Sequence, residues 1–234
     1  MMNHLTPHEE EHKSHRAPWL RAAVLGVDDG IVSTSSIMLG VIAAAQSDAA
    51  ILTAGIAGLV AGALSMAAGE YVSVSSQRDS ELYDIDIERR SLSENPEGEL
   101  KELAHIYEMR GLSPELALQV AEQLHEQDAV HAHARDELGI DHNDLANPLQ
   151  AAIASAISFS VGGAIPIVAA LAASHISGTW IITIVSLIAL ALSGAVSAMI
   201  GGGNRLWAAL RVFLGGGLAM AVTYGIGYLV GVSL

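Results

Sequence analysis

Five long apolar stretches alternate with polar connections along the chain, and one of these connections is much longer than the others. A helix needs roughly 20 mostly apolar residues to cross the hydrocarbon core of a bilayer. Stretches of that kind occur near residues 18–45, 49–75, 148–172, 178–200 and 207–232. The pattern predicts an all-α membrane protein with five transmembrane helices. Composition agrees, because 51% of the 234 residues are hydrophobic and only 4% are aromatic, which is typical of a membrane protein.

The long polar interval, residues 76–147, holds 18 of the 25 acidic residues. It predicts three helices, namely a polar continuation of the second span and two helices that begin at Asn95–Pro96 and Ser113–Pro114. We therefore divide the chain into a polar tail rich in His and Glu, transmembrane helices 1 and 2, an acidic helical domain, and transmembrane helices 3 to 5. Their bounds are 1–17, 18–75, 76–147 and 148–234.

The basic residues predict how the chain is oriented. All 11 Lys and Arg residues lie on one side of a five-span arrangement, and such residues favour the cytosolic side of a membrane. We expect the N-terminus and the acidic domain in the cytosol and the C-terminus on the opposite side. The polar start does not resemble a cleavable signal. Because the compact chain has no targeting extension, we expect a multi-pass protein of the bacterial cytoplasmic membrane.

The lack of cysteine restricts the available metal chemistry. With no cysteine in the sequence, neither a disulfide framework nor a thiolate metal site is expected. A metal would have to be held by carboxylate, imidazole, thioether, hydroxyl or backbone oxygen. Those ligands favour the harder divalent ions.

The first span, "AVLGVDDGIVSTSSIMLG", contains two aspartates in an otherwise apolar stretch. Helical spacing places Asp29 on a face of small and polar residues with Gly26, Gly30 and Ser33, whereas the preceding residue, Asp28, lies on a different face. An intramembrane carboxylate marks by default an ion pathway, a proton relay or a paired charge. We predict that Asp29 is functional and that Asp28 is structural.

The second span carries Met66 on a face of small residues that includes Gly58 and Gly62, a pattern that permits close helix packing. At 1.5 Å per residue, Asp29 lies about 18 Å and Met66 about 14 Å from the cytosolic ends of their spans. The two side chains are therefore expected to meet. A thioether beside a carboxylate adds affinity for Fe²⁺-like ions. Glu70, one turn nearer the cytosol, could receive an ion or a proton, or could pair with Arg21 or Arg78.

Two segments carry a specific resemblance. "GVDDGIVSTSSIMLGV" and "AGLVAGALSMAAGEYVSVSSQRD", together with five spans and an acidic insert after the second, resemble the vacuolar iron transporter family, which includes yeast vacuolar calcium/iron-type and plant nodulin-21-like members. The resemblance implies a homodimeric transporter, and not an enzyme, that exports Fe²⁺ and often Mn²⁺ from the cytosol in exchange for protons. It implies a pathway between the subunits, with Asp29 and Met66 as its metal residues. The expected partners are metal ions, protons, membrane lipid and a second copy, with no nucleic acid and no tightly bound cofactor.

One departure from the family concerns the pathway. Members of the plant vacuolar type carry a glutamate two turns before the methionine of the second span, and Gly58 occupies that position here. Whatever that glutamate does for ion or proton transfer is absent here or taken over, and Glu70 is the residue that could do so.

The resemblance also implies a metal site on the acidic insert, which collects metal in the cytosol. The matched metal residues are Glu88, Glu99, Glu102 and Glu137. A further expected glutamate falls at Ser91, and a pair of methionines falls at His133 and Ala134, so the site has fewer carboxylates and less sulfur. We predict that His133 substitutes as a nitrogen ligand.

Two other classes of protein deserve comparison. Two E-x-x-H pairs, Glu102 with His105 and Glu122 with His125, are the kind used by ferritin-like di-iron proteins. They raise the alternative of a membrane-tethered ferroxidase or iron-storage protein, although only three soluble helices are expected per chain. An intramembrane aspartyl protease would need aspartates on two spans, and spans two to five have none.

The remaining chemistry is less specific. Four histidines in the N-terminal tail, at positions 4, 8, 12 and 15, predict either a weak metal collector or an ordinary polar tail. Carboxylate and imidazole accept Fe²⁺, Mn²⁺, Co²⁺, Ni²⁺ and Zn²⁺, so the sequence does not choose among them, and it does not give a proton stoichiometry.

Overall fold

The computed structural model describes residues 17–141, 145–172 and 178–233, and every regular element in these ranges is an α-helix. The predicted N-terminal histidine cluster lies outside the described residues. The helices are α1 (Ala17–Ala43), α2 (Asp48–Glu94), α3 (Pro96–Met109), α4 (Pro114–Asp136), α5 (Pro148–Ala172), α6 (Gly178–Gly201) and α7 (Arg205–Ser233). Helices α1, α2, α5, α6 and α7 are long and apolar enough to cross a membrane. The prediction of an all-α protein with five spans is confirmed.

The chain forms two units. One contains Met1–Gly69 and Ala152–Leu234, and the other contains Glu70–Ala151. Helix α2 runs through both, since its 47 residues at 1.5 Å each extend about 70 Å, against a hydrocarbon core of about 30 Å. We call the first the membrane unit and the second the acidic unit. The placement of the acidic unit in the cytosol stays a prediction.

Glycines bring helix backbones into direct contact in the membrane unit. A Cβ at Gly162 of α5 would overlap the backbone carbonyl of Val27 on α1, and one at Gly30 of α1 would overlap that of Phe159. Where the helices have no side chain at the crossing, their backbones approach closely and van der Waals packing replaces the hydrophobic effect as the source of association. This contact fixes the position of the first span at the level of its aspartates.

The acidic unit is built on a pair of packed helices. Their core is formed by four buried side chains, Leu103, Ala104, Ala121 and Ala132. The two helix starts are as the sequence predicts: the Asn95 side chain accepts a hydrogen bond from the Gly98 amide at 3.1 Å, and the Ser113 side chain accepts one from Leu116. Such caps satisfy amides that have no partner within the helix.

Helix α4 is kinked, whereas the sequence predicts one uninterrupted helix that begins at Ser113–Pro114. Asp128 has φ −166° and ψ 96°, which is an extended conformation. Its Oδ1 accepts a hydrogen bond from the amide of His131 at 3.0 Å, and this geometry makes Asp128 the N-cap of the second half of α4. The break lies three residues after His125, between that residue and His133, and changes the direction of the chain there.

The second half of α4 is fixed to the end of α3 by polar contacts. Asp136 accepts hydrogen bonds from the Tyr107 hydroxyl at 2.7 Å and from Arg110 Nη1 at 2.8 Å. Arg135 donates to the same carboxylate. Burial, the largest single influence, favours the neutral acid, but the hydrogen bonds from Arg135, Arg110 and Tyr107 together hold the pKa of Asp136 well below its usual range. The network therefore keeps the ends of α3 and α4 together while Asp136 is charged.

Candidate metal centres

The first candidate centre is the carboxylate of Asp29 on α1. Its Oδ1 accepts a hydrogen bond from the hydroxyl of Ser33 at 2.6 Å, one helical turn away. The side chain is half-buried in the single chain. Ser33 therefore holds the carboxylate in one orientation without covering it.

Asp28 has a different environment from its neighbour. Its hydrogen-bonding neighbour is Ser193 of α6, while its Oδ1 is buried and has no hydrogen-bond partner among the described residues. Asp28 thus faces the interior of the membrane unit between α1 and α6. Its interpretation as a structural residue stays a prediction.

Equal spacing along α1 and α2 predicts that Met66 lies at the height of Asp29. The side chain of Ile37 on α1 packs against Gly58 on α2, and the short connection makes these helices antiparallel. Asp29 precedes Ile37 by eight residues and Met66 follows Gly58 by eight, so both lie about 12 Å along their helices from the Ile37–Gly58 contact. Met66 is half-buried. Direct contact between Asp29 and Met66 stays a prediction.

Glu70 lies on α2 at the start of the acidic unit and is half-buried. It makes no hydrogen bond or ion pair with another described residue. Arg78, one of the partners considered from the sequence, is exposed. Its role in taking up a cation or a proton stays a prediction.

The second candidate centre is in the acidic unit and surrounds His133, which is fully buried. Its Nδ1 lies 3.0 Å from Glu88 Oε1, 3.1 Å from Glu137 Oε2 and 4.0 Å from Glu99 Oε2. Helices α2, α3 and α4 each contribute to this cluster. The ligand atoms of Glu88, Glu99 and His133 lie within 4.8 Å of one another, a spacing that one divalent cation could span.

One carboxylate oxygen in this cluster lacks a donor. The hydrogen bond of His133 Nδ1 goes to Glu137 Oε2. Glu88 Oε1 is as near to Nδ1, at 3.0 Å, yet it is buried and makes no hydrogen bond to a described residue. A buried carboxylate oxygen without a donor is costly, and a metal ion would supply its missing partner.

Crowding of the carboxylates adds to that cost. Burial raises the pKa of Glu88, which lies in the polar part of α2 outside its apolar stretch, and Glu137, Glu99 and Glu102 raise it further against the opposing effect of His133. Burial and then Glu102 raise the pKa of Glu99. Each effect disfavours adding negative charge where no cation is bound. A divalent ion would reverse the balance, because it favours the charged form of every carboxylate around it.

The structure brings together most of the residues predicted for this centre. Glu88, Glu99, His133 and Glu137 converge, whereas the exposed Glu102 lies at the rim and acts through its charge. The roles of all five as ligands stay predictions.

The connection between His125 and this centre does not follow from the sequence pattern. His125 Nε2 lies 2.9 Å from His133 Nε2, and burial followed by the nearby His133 lowers the pKa of His125. The available signal was Asp128, a residue type that favours helix N-caps, three positions before His131.

The two E-x-x-H pairs do not converge on a di-iron site within the described residues. His105 is exposed and lies 3.4 Å from Glu108, while Glu122 is exposed and its partner in the pair, His125, contacts His133. A ferritin-like site needs both pairs to face a common interior. The ferroxidase alternative gains no support from this geometry.

The fold and these centres define a class of protein: a helical membrane protein of five spans with metal-type ligands both within its first two spans and in a separate acidic unit. The VIT family model matches residues 20–228, and the chain belongs to this family.

Curated relatives agree over nearly the whole chain. A protein named vacuolar iron transporter from Acanthamoeba castellanii is 49% identical over 231 residues, covering 94% of this chain and 82% of the relative. The VIT-like transporter 1b of Glycine max is 36% identical over 96% of this chain and 83% of its own. The vacuolar iron transporter homolog 2.1 of Arabidopsis thaliana is 35% identical over 95% of this chain and 86% of the relative. These confirm the resemblance described from the sequence, but, being eukaryotic, they do not support the expected bacterial membrane.

Proposed function

We propose that this chain transports a divalent transition metal out of the cytosol. Fe²⁺ is the main substrate and Mn²⁺ a second one. Its relatives carry the names of iron transporters. The observation that carries the proposal is the Asp29 carboxylate, which is oriented by Ser33 inside an apolar helix at the height of Met66. Oxygen and sulfur ligands at one level of two adjacent helices suit Fe²⁺ better than Mg²⁺ or Ca²⁺.

A second copy of the chain completes the pathway in this proposal. Only 6% of the most apolar 18-residue stretch of α2 is buried, against 44% for α1. The exposed surface includes small residues such as Ala57, Ala61 and Ala68, which allow another helix to approach closely. A homodimer that covers α2 would place Asp29 and Met66 of both copies along one path, with lipid around the outer helices.

The centre at His133 collects metal before transport. Its carboxylates and imidazole are ligands that Fe²⁺, Mn²⁺ and Zn²⁺ share. The metal is cargo at this centre, which explains why the ligands tolerate an arrangement that is unfavourable without a cation.

Protons move in the opposite direction in this proposal. Glu70 takes the part that a glutamate at position 58 plays in the plant vacuolar type, because it is half-buried and has no partner among the described residues. A carboxylate that alternates between binding a cation and binding a proton couples the two fluxes without a further group.

Metal flux into proteoliposomes tests the transport pathway. Purified chain is reconstituted with a pH gradient, and uptake of Fe²⁺ or Mn²⁺ is followed by an internal fluorescent indicator. Asp29→Asn and Met66→Leu should each reduce flux by about tenfold or more, since a loss of 1.4 kcal/mol in binding is tenfold. The matched control is Asp28→Asn, which removes the neighbouring carboxylate and should retain most of the flux. Wild-type flux in both Asp29→Asn and Met66→Leu would remove the intramembrane site from the proposal.

A further inference from the structure

The side chains of His125 and His133 meet through their Nε2 atoms, 2.9 Å apart. Their ring centroids are 5.1 Å apart and their planes are inclined by 57°. The rings therefore meet edge to edge and do not stack. Since one nitrogen must carry the hydrogen and the other must accept it, the two tautomers are linked.

The kink in α4 creates this contact. Residues eight apart in a continuous α-helix are separated by about 12 Å along the axis, too far for two imidazoles to meet at 2.9 Å. The extended conformation of Asp128 lies between them, and the amide of His131 is capped by its side chain. The break is thus stabilised by its own hydrogen bond.

The opposite edge of His133 faces the carboxylates. Nδ1 lies within 3.1 Å of Glu88 and Glu137 oxygens, and it donates to Glu137. With Nδ1 donating to Glu137, a neutral His133 ring accepts at Nε2 the hydrogen that His125 donates. A metal among the carboxylates needs the lone pair of Nδ1, which moves the hydrogen to Nε2.

His125 can serve both states because imidazole is both a donor and an acceptor. It donates from Nε2 when His133 is metal-free, and it accepts at Nε2, with its own hydrogen on Nδ1, when His133 holds a metal. Metal-ligating histidines commonly donate their second ring N–H to such a partner, which fixes the ring orientation and the tautomer.

We propose that His125 is the positioning residue of the acidic-unit metal centre, holding the ring of His133 so that Nδ1 points at the carboxylates in both the metal-free and the metal-bound protein. The inference rests on the proposed function, in which His133 is a metal ligand. It adds to the candidate ligands a residue that binds no metal itself, and it makes the kink at Asp128 part of the centre.

Cobalt binding to the full chain in detergent micelles tests this role. Co²⁺ is titrated into wild type and variants, and its visible d–d absorption reports the change in coordination when the ion binds to the protein. The part of the signal lost in His133→Ala defines the centre. His125→Leu should lower the Co²⁺ affinity measured from that part of the signal by about 10- to 100-fold, the usual effect of removing such a partner. His125→Gln, whose amide reaches the position of Nε2 and can donate or accept, should restore it to within a few-fold. His105→Leu, at an exposed histidine on α3, is the matched control and should bind as wild type does.

The ¹⁵N resonances of His133, selectively labelled and assigned with His133→Ala, provide the readout that a merely structural role would not change. Wild type and His125→Gln should show one tautomer in the metal-free state, and His125→Leu should show a mixture. If His133→Ala removes Co²⁺ binding while His125→Leu binds with wild-type affinity and one tautomer, the positioning role is wrong and the metal centre stands. If His133→Ala binds Co²⁺ as wild type does, the proposed centre is wrong and the role of His125 falls with it.

Discussion

Replacing Glu88 by glutamine should stabilise the metal-free protein and reduce its response to metal at the same time. Glu88 is only 6% exposed, its Oε1 has no hydrogen-bond partner among the described residues, and Glu99 and Glu137 lie close by. A buried polar group without a partner costs about 1–3 kcal/mol. Glutamine keeps the shape, removes the charge and offers an amide N–H to the neighbouring carboxylates, so Glu88→Gln should raise the free energy of unfolding of the acidic unit by about 1–2 kcal/mol at neutral pH.

The metal response should change in the opposite direction. A metal present at 100 times its dissociation constant stabilises the folded wild type by about 2.7 kcal/mol. If the loss of the Glu88 carboxylate weakens the centre by about 10- to 100-fold, the same metal concentration stabilises Glu88→Gln by only about 0.4–1.4 kcal/mol. One substitution thus separates two effects of the Glu88 carboxylate: it destabilises the metal-free protein, and it contributes to metal binding.

The pH dependence follows from the sign of the pKa shift. The pKa of Glu88 is raised above its usual value of 4.5, so its contribution to stability is fully present below pH 4.5 and is lost as pH rises through the folded-state pKa. The advantage of Glu88→Gln should therefore be small near pH 4.5 and should grow toward neutral pH.

Hydrogen exchange of peptides from residues 96–136 measures both effects, with and without Mn²⁺. Glu122→Gln, at an exposed glutamate of α4, is the matched control and should change neither. Faster exchange in metal-free Glu88→Gln than in wild type at neutral pH would refute the reasoning, because it would mean that the carboxylate stabilises the acidic unit without a metal.

Three further predictions concern the scaffold. Asp128→Ala removes the cap of the second half of α4 and should lower the local stability by about 1 kcal/mol. Hydrogen exchange should become faster in residues 129–136 and stay unchanged in residues 114–127. Gly162→Ala places a methyl group against the backbone of α1 and should cost about 1–3 kcal/mol. Gly215→Ala, where nothing lies within 4 Å, should be neutral or stabilising by up to about 1 kcal/mol, and equal melting temperatures of these two glycine variants in detergent would contradict the packing. Asp136→Asn should destabilise the acidic unit most above pH 3.8. The pKa of Asp136 is lowered, so its stabilising effect is lost as pH falls through the folded-state value. A difference in stability between Asp136→Asn and wild type that grows on acidification would contradict this.

The sequence predicted the fold well because membrane spans and helix caps are local signals. The apolar runs predicted five spans, and the Asn95–Pro96 and Ser113–Pro114 pairs marked the starts of α3 and α4. These features depend on neighbours within about one turn or on the length of one apolar run.

The candidate centres depend on longer-range geometry. Helical spacing separated Asp28 from Asp29, and the structure gives them different partners, Ser193 and Ser33. The role of His125 did not follow from spacing, because residues at i and i+8 do not meet on a regular helix. Only the non-helical conformation of one residue makes that contact, and an aspartate within a helical pattern is a weak signal for such a break.

The glycine contacts of α1 determine which parts of the membrane unit are free to move. A Cβ at Gly227 of α7 would overlap the backbone carbonyl of Gly40, just as a Cβ at Gly162 of α5 would overlap that of Val27. Helix α1 is therefore in backbone contact with one neighbour near each end of its apolar stretch. Rotation of α1 about its own axis would drive side chains into those contacts, since successive residues are about 100° apart. In the proposed transport cycle Asp29 is therefore a stationary residue. The proposal then assigns the exposure of its carboxylate, first to one side of the membrane and then to the other, to movement of the sparsely covered α2 and of one proposed subunit against the other.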